Sequence, residues 1–220
     1  MKNALIFGLI GLGLISLFVL LSPRNPSSTV VRQTAISLST STVSEETPIY
    51  VIDAVYPVFG IPALDAKIKA NVDAGISEIK DMEANPSPNS IQNTFESTFD
   101  SVYIGPDVVS VKLILSDYTG GAHNNSVALG LNYDRSTGQF LKLDDALSLI
   151  GKDLQQVSDI ASAKLTEEFG QVQFEEGVAP TPQNYATFVV GKKSVRFIFQ
   201  EYQVEAFAAG QPEIEIARVK

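Results

Sequence analysis

The chain has a single histidine, His123, and it stands in the string Tyr118-Thr119-Gly120-Gly121-Ala122-His123. Asp117 lies directly before this string. Imidazole, phenol and carboxyl are groups that trade protons in general acid–base catalysis, so one reading of the loop is an acid–base centre. Geometry must come before that chemistry, and the local sequence speaks first of shape. Two adjacent glycines between alternating apolar segments mark a hairpin tip whose backbone needs positive φ or close approach. A histidine beside them can fix such a loop by hydrogen bonding its backbone. Tyr118, Thr119, Gly120, Gly121 and His123 are therefore expected to serve structure or recognition, and catalysis is the competing reading.

Other candidates for chemistry are poorer. With no cysteine there is no disulfide, thiolate metal site or thiol nucleophile. Asp144-Asp145 stand at the start of a short helical pattern, where capping is their expected role. The spaced ligands of an EF-hand loop and the G-x-S-x-G nucleophile elbow are both missing. Glu96, Asp100, Glu201 and Glu205 lie near aromatics, a coincidence expected among 25 acidic residues. Gly8, Gly11 and Gly13 fall inside an apolar run and read as small residues of a membrane helix, not as a phosphate cradle. No metal site and no cofactor is expected.

The elements that must position the loop begin after an apolar stretch. Residues 4–21 are apolar apart from Gly and Ser. As a helix they would reach roughly 27 Å at about 1.5 Å per residue, close to a hydrocarbon core of about 30 Å. No small-x-small cleavage site follows, which favours an uncleaved N-terminal transmembrane helix over a signal peptide. Residues 22–47, rich in Ser and Thr with Pro23 and Pro26, read as a tether, with at most a short edge strand around Val30-Val31 and Ala35-Ile36.

Residues 48–220 read as one domain. Its first strand, residues 49–56, is apolar on both alternations and stops at Pro57, which predicts a strand covered on both faces. Leu64, Ile68, Val72, Ile76 and Ile79 recur at helical spacing. Hairpin strands follow: residues 94–104; a strand with Val109, Val111, Leu113 and Leu115 on one face; and another with Val127, Leu129, Leu131 and Tyr133 on one face. Leu154, Val157, Ala161, Leu165 and Phe169 predict a second main helix ending near Gly170. A hairpin about Gly191-Lys192-Lys193 and a last strand from Glu213 complete the pattern. The expected class is α+β: a mostly antiparallel sheet of hairpins packed by about two main helices.

Beyond Arg24 the chain holds all 25 acidic residues but 14 of the 16 basic ones, a formal charge of −11. Phosphate neutralisation needs Lys and Arg patches, so nucleic acid is excluded as an expected partner. Basic partners, or simple solubility, fit such a surface.

Four ordered strings carry a family resemblance. They are Ile49-Tyr50-Val51-Ile52-Asp53-Ala54-Val55-Tyr56-Pro57-Val58; Ser116-Asp117-Tyr118-Thr119-Gly120-Gly121-Ala122-His123; Leu131-Asn132-Tyr133-Asp134 through Leu143-Asp144-Asp145; and Glu201-Tyr202-Gln203-Val204-Glu205-Ala206-Phe207-Ala208-Ala209-Gly210. Together they resemble the domain of unknown function 3298 with its usual N-terminal partner region. That family includes the extracytoplasmic domain of lysozyme-sensing anti-sigma factors and the non-catalytic N-terminal domain of peptidoglycan deacetylases. The resemblance implies an α+β domain outside a bacterial cytoplasmic membrane, anchored by a single pass. It implies a binding or sensing role without catalysis, toward a cell-wall glycan or a basic wall-degrading protein such as lysozyme. The alternative it leaves is an envelope enzyme acting on cell-wall polysaccharide, or an accessory domain of one. Only three residues precede the apolar run, so the sensing half alone is expected here. The resemblance adds Tyr202, Val204, Phe207 and Gly210 to the loop residues as expected contacts. Ala206 and Phe207 replace the family's usual Pro and Tyr.

Overall fold

The structure, a computed structural model, describes residues 36–83 and 91–219. The expected membrane helix, most of the tether and the proline-containing loop 85–89 lie outside these residues. No helix among the described residues is long and apolar enough to cross a membrane.

Six strands form one sheet in sequence order: β1 (Ser39–Glu46), β2 (Tyr50–Val58), β3 (Asn93–Ile104), β4 (Val108–Tyr118), β5 (Asn125–Asp134) and β6 (Gln139–Phe140). A second sheet holds β7 (Phe188–Val190), β8 (Ser194–Ile198) and β9 (Glu213–Ala217). The helices are α1 (Pro62–Asp81), α2 (Leu143–Ile150) and α3 (Leu154–Phe169). The fold is thus α+β, with three helices among the described residues and two sheets. The larger sheet is mixed, not simply a run of hairpins. β2 and β3 pair in parallel, from Tyr50 opposite Asn93 to Ala54 opposite Ser97, because α1 intervenes as a crossover.

β1 is a further correction, since it lies in the stretch read as tether. Its sequence STSTVSEE is polar on both alternations and gives no periodic signal. Its ladder comes instead from β2, which it pairs from Ser39 opposite Val58 to Glu46 opposite Val51. β2 also runs through Pro57. The turn bond from Thr47 N–H to the Tyr50 carbonyl sets the alternation of this antiparallel ladder, and Pro57, opposite Thr40, falls in a non-hydrogen-bonded pair. Its nitrogen therefore faces the side that β3 has already left, where no donor is needed. Nor is β2 covered on both faces: Ile52, Ala54 and Tyr56 are buried, while Asp53 is exposed.

On one face of the large sheet, Leu64, Ile68, Val72 and Ile79 of α1 pack with Ile52, Phe95, Val109, Val111 and Leu113. Gly75 lets the Phe95 ring lie against the helix, since a Cβ there would fall 2.2 Å from the ring. On the other face the small sheet docks with α2 and α3. Val157, Ala161 and Leu165 of α3 share a core with Ala146, Ile150, Tyr185, Phe197, Phe199 and Val204. Two polar residues register the sheets. Asn132 Nδ2 donates to the Phe188 carbonyl at 2.7 Å, and Val190 N–H is received by Asn132 Oδ1 at 2.9 Å and Ser110 Oγ at 3.0 Å. The backbones meet at Gly130, where a Cβ would lie 1.8 Å from the Phe188 oxygen.

Asp145 accepts the Lys142 N–H at 2.7 Å, so the cap residue of α2 is Lys142, with Asp145 reaching back to it from the first turn. Asp144 stands in the same turn. α3 ends at Gly170, as its spacing predicts.

Candidate functional site

β4 and β5 project a hairpin whose tip is the Gly-Gly loop. Gly120 and Gly121 have φ of 99° and 120°, values that a side chain would strain. The Tyr118 hydroxyl donates across the loop to the Gly121 carbonyl at 3.2 Å. The loop thus takes the shape that its glycines require.

The tip is not built from the hairpin alone. Residues 200–211, after β8, fold back along the outer edge of β5. That edge has a strand partner only at Tyr133 and Asp134, from β6. Side chains supply the missing ladder. Gln200 receives the Ala128 N–H at 3.0 Å and donates to the Ala128 carbonyl at 2.9 Å. Glu201 receives the Ser126 N–H at 3.1 Å, and Gln211 donates to the Ser126 carbonyl at 3.3 Å. An open strand edge is a template for unwanted pairing, and these amides and this carboxylate close it.

Held in this way, Tyr202 and Phe207 reach His123. The imidazole stacks on the Phe207 ring with centroids 3.7 Å apart and planes 17° from parallel. Its Nδ1 lies 2.8 Å from the Asn124 carbonyl oxygen, and its Nε2 lies 2.9 Å from the Tyr202 hydroxyl. A carbonyl only accepts, so Nδ1 carries the proton; Nε2 of the neutral ring then accepts from the Tyr202 hydroxyl. Tyr202 is 52% exposed and sits at φ 62°. A non-glycine residue there is held against a local preference of order 1 kcal/mol or more, which marks a position fixed by its surroundings. Ala206 has φ −61°, the value that a proline would impose. Gly210, at φ 65°, ends the short 3-10 turn Phe207–Ala209.

The structure therefore brings together Tyr118, Gly121, His123, Tyr202 and Phe207, with Thr119 and Gly120 in the same exposed loop. Val204 is a correction. It is fully buried in the core with Tyr185 and Phe199, and its carbonyl receives the N–H groups of Gln173 and Phe174. Its side chain cannot meet a ligand. Gln200, Glu201 and Gln211 were not singled out as a strand-edge cap; a Gln-Glu pair just after an apolar strand was the available signal.

Asp117 receives the Asn125 amide at 3.4 Å. Among the described residues no carboxylate is hydrogen-bonded to His123, and no group of three or more His, Asp and Glu could hold a metal ion. The tip is a ring cluster with carboxylates beside it. Residues 116–126 and 200–211 contain Asp117, Glu201 and Glu205 but neither Lys nor Arg.

The family model for proteins of unknown function DUF3298 matches residues 146–218. Among curated proteins, the chain is 26% identical over 171 residues to the peptidoglycan-N-acetylmuramic acid deacetylase PdaC of Bacillus subtilis (strain 168). That alignment covers 74% of this chain and 36% of the relative, so the chain spans about a third of the relative's length. A crystal structure of a DUF3298 member from Bacteroides fragilis NCTC 9343 superposes with a TM-score of 0.54 at 18% identity, covering 83% of this chain and 90% of the other. One from Pseudomonas aeruginosa PAO1 gives 0.51 at 16% identity, covering 83% and 92%. These two share the fold. Residues 146–218, which hold α3, the small sheet and the Tyr202–Phe207 half of the tip, match the DUF3298 domain.

Proposed function

We propose that this chain is a non-catalytic binding module of the bacterial cell envelope. Residues 1–21 hold it in the membrane, and its folded domain stands outside the cytoplasm. Its contact surface is the tip made by residues 118–123 and 202–210, and its partner is a basic protein that acts on the cell wall, of which lysozyme is the type. The observation that carries this reading is the composition of the tip and its flanks, residues 116–126 and 200–211: three rings in contact, the three carboxylates Asp117, Glu201 and Glu205, and no Lys or Arg. Exposed aromatics anchor protein interfaces, and carboxylates steer a basic partner toward them. Wall glycan is the second reading, favoured by the similarity to a peptidoglycan deacetylase.

Calorimetry of the chain against lysozyme tests the proposal. Binding should weaken as salt rises, because charges more than about 10 Å apart are largely screened at 0.1 M. Phe207→Ala should weaken it by about tenfold or more, the scale of a central aromatic anchor. No heat at low salt, with lysozyme activity untouched by excess chain, would remove the protein partner; retention on purified peptidoglycan would then favour the glycan. Turnover of peptidoglycan that vanishes in His123→Ala would overturn the binding reading in favour of an enzyme.

A further inference from the structure

The two sides of the six-stranded sheet are finished differently. Along β5, Gln200, Glu201 and Gln211 satisfy outward backbone groups. The opposite edge is β1, which pairs with β2 along all 8 of its residues without a bulge. Thr40 stands in a non-hydrogen-bonded pair with Pro57, and alternation puts Thr42, Ser44 and Glu46 in pairs of the same kind. The N–H and C=O groups of these residues therefore point away from β2. No group among the described residues donates to them or receives from them.

An open edge is a template for another strand, and proteins that stay apart blunt it with Lys, Pro, bulges or a very short strand. β1, with the sequence STSTVSEE, has none of these. Of its two charged residues, Glu45 turns to the α1 side, where Lys80 and the Tyr50 hydroxyl engage it. That leaves Glu46, at the far end of the strand. Thr40, Thr42 and Ser44 are exposed, small and uncharged, so their side chains do not hold a second strand away.

The strand is complementary to itself. A parallel pairing would set Glu45 and Glu46 beside their own copies, which like charge disfavours. An antiparallel pairing about a two-fold axis separates them. The register that sets Val43 opposite Val43 of a second copy also sets Thr42 opposite Ser44, Thr40 opposite Glu46 and Ser41 opposite Glu45. The Thr42–Ser44 and Thr40–Glu46 pairs each exchange two hydrogen bonds, so every outward group from Thr40 to Glu46 gains a partner. Val43 is the one apolar residue of β1 and packs at the margin of the α1 core. It meets its copy in a non-hydrogen-bonded pair, where side chains approach most closely. Sliding one strand by two residues leaves Thr40 or Glu46 beyond the end of its partner. Sliding by one sets outward groups against groups already bonded to β2. We propose that β1 joins two copies of this chain edge to edge in that register, as an isologous dimer. The tip belongs to β4 and β5, toward the other side of the sheet, and stays free in both copies.

The chain has no cysteine, so introduced thiols report the register without background. Non-hydrogen-bonded partners have Cα atoms about 4.5 Å apart, within reach of a disulfide. The full chain in membranes, oxidised with copper phenanthroline, should give a disulfide-linked dimer with Val43→Cys. Thr42→Cys or Ser44→Cys alone should give at least about fivefold less, because each is offset from its own copy by about 7 Å along the strand. Co-expressed, those two variants should cross-link to one another. Thr42→Pro, added to Val43→Cys, removes an outward N–H but no bond to β2, and should cut the yield at least about fivefold; Thr42→Lys should do the same through its charge. Phe207→Ala should leave the yield unchanged, so the dimer and the tip's contact fail separately. No dimer from Val43→Cys, equal yields from the three positions, or a yield indifferent to both Thr42 variants would overturn the proposal. Slow amide exchange at Thr42 and Ser44 in a chain that sediments as a monomer would overturn it in favour of a segment of the same chain lying on that edge.

Discussion

The tip and the turn after α3, residues 171–178, both pack against one segment, residues 200–211, and they are held in different ways. At the tip, side chains hold side chains: His123 stacks on Phe207 and hydrogen-bonds Tyr202, 79 positions further along the chain. In the turn after α3, side chains hold backbone: Ser158 and Tyr185 donate to the Val178 carbonyl and Gln203 to the Gly177 carbonyl. Gly177 also lies against the Gln203 carbonyl, and Gln173 and Phe174 donate to Val204. The difference predicts where each region fails. Losing a ring loosens the tip, whereas crowding the backbone distorts the turn after α3.

Gly177→Ala should show the largest effect. Placing a Cβ 1.8 Å from a backbone oxygen forces the two segments apart, and overpacking of this kind costs about 3 kcal/mol or more. A melt lowered by only a degree or two would show that the turn yields, and the contrast would be lost. Gly121→Ala at the tip meets nothing within 4 Å and is strained only by its φ of 120°, so about 1 kcal/mol is expected. Thermal melts of the two variants side by side test the ordering.

His123→Ala should cost about 1 kcal/mol, the scale of one stacked pair with one hydrogen bond. It should also raise amide exchange in residues 202–210 while leaving residues 171–178 unchanged. Exchange that rises equally in both would mean that the tip and the turn after α3 are one cooperative unit.

The smallest effect at neutral pH belongs to Tyr185→Phe, because Ser158 still satisfies the Val178 carbonyl. Its signature is alkaline. Burial pushes the Tyr185 phenol above its ordinary value; the Ser158 hydroxyl offsets part of this and the charge of Asp159 adds to it. A phenol with a raised folded pKa stabilises fully below its unfolded value of about 10, and that contribution is lost as pH climbs through the folded value. The parent should therefore lose stability above about pH 10 more steeply than Tyr185→Phe, provided the comparison is made on equilibrium unfolding curves. Parallel curves would remove Tyr185 as the alkaline weak point behind the turn after α3.

Much of this architecture was open to reading along the chain. α1 and α3 were legible from their apolar stripes, and the hairpin of β4 and β5 from alternation, because period and face are local properties. Gly120 and Gly121 declared their positive φ by having no side chain. β1 was hidden because a strand of Ser and Thr shows no alternation and exists only through its ladder to β2. The parallel pairing of β2 with β3 was hidden because pairing direction depends on where a crossover helix lands. Val204 was misplaced because a motif shared along a sequence does not say which of its side chains point inward.

The sequence by itself determined the helices, the strand faces, the tight turn and the acidic balance, since each follows from neighbours a few positions apart. Only the tertiary structure decided that His123 meets Tyr202 and Phe207, that Gln200 and Glu201 close a strand edge, and that Ser158 and Tyr185 share the Val178 carbonyl. These are contacts between distant segments, and they are set by how two sheets dock across Gly130, Ser110 and Asn132, where a missing Cβ and a few hydrogen bonds fix the register.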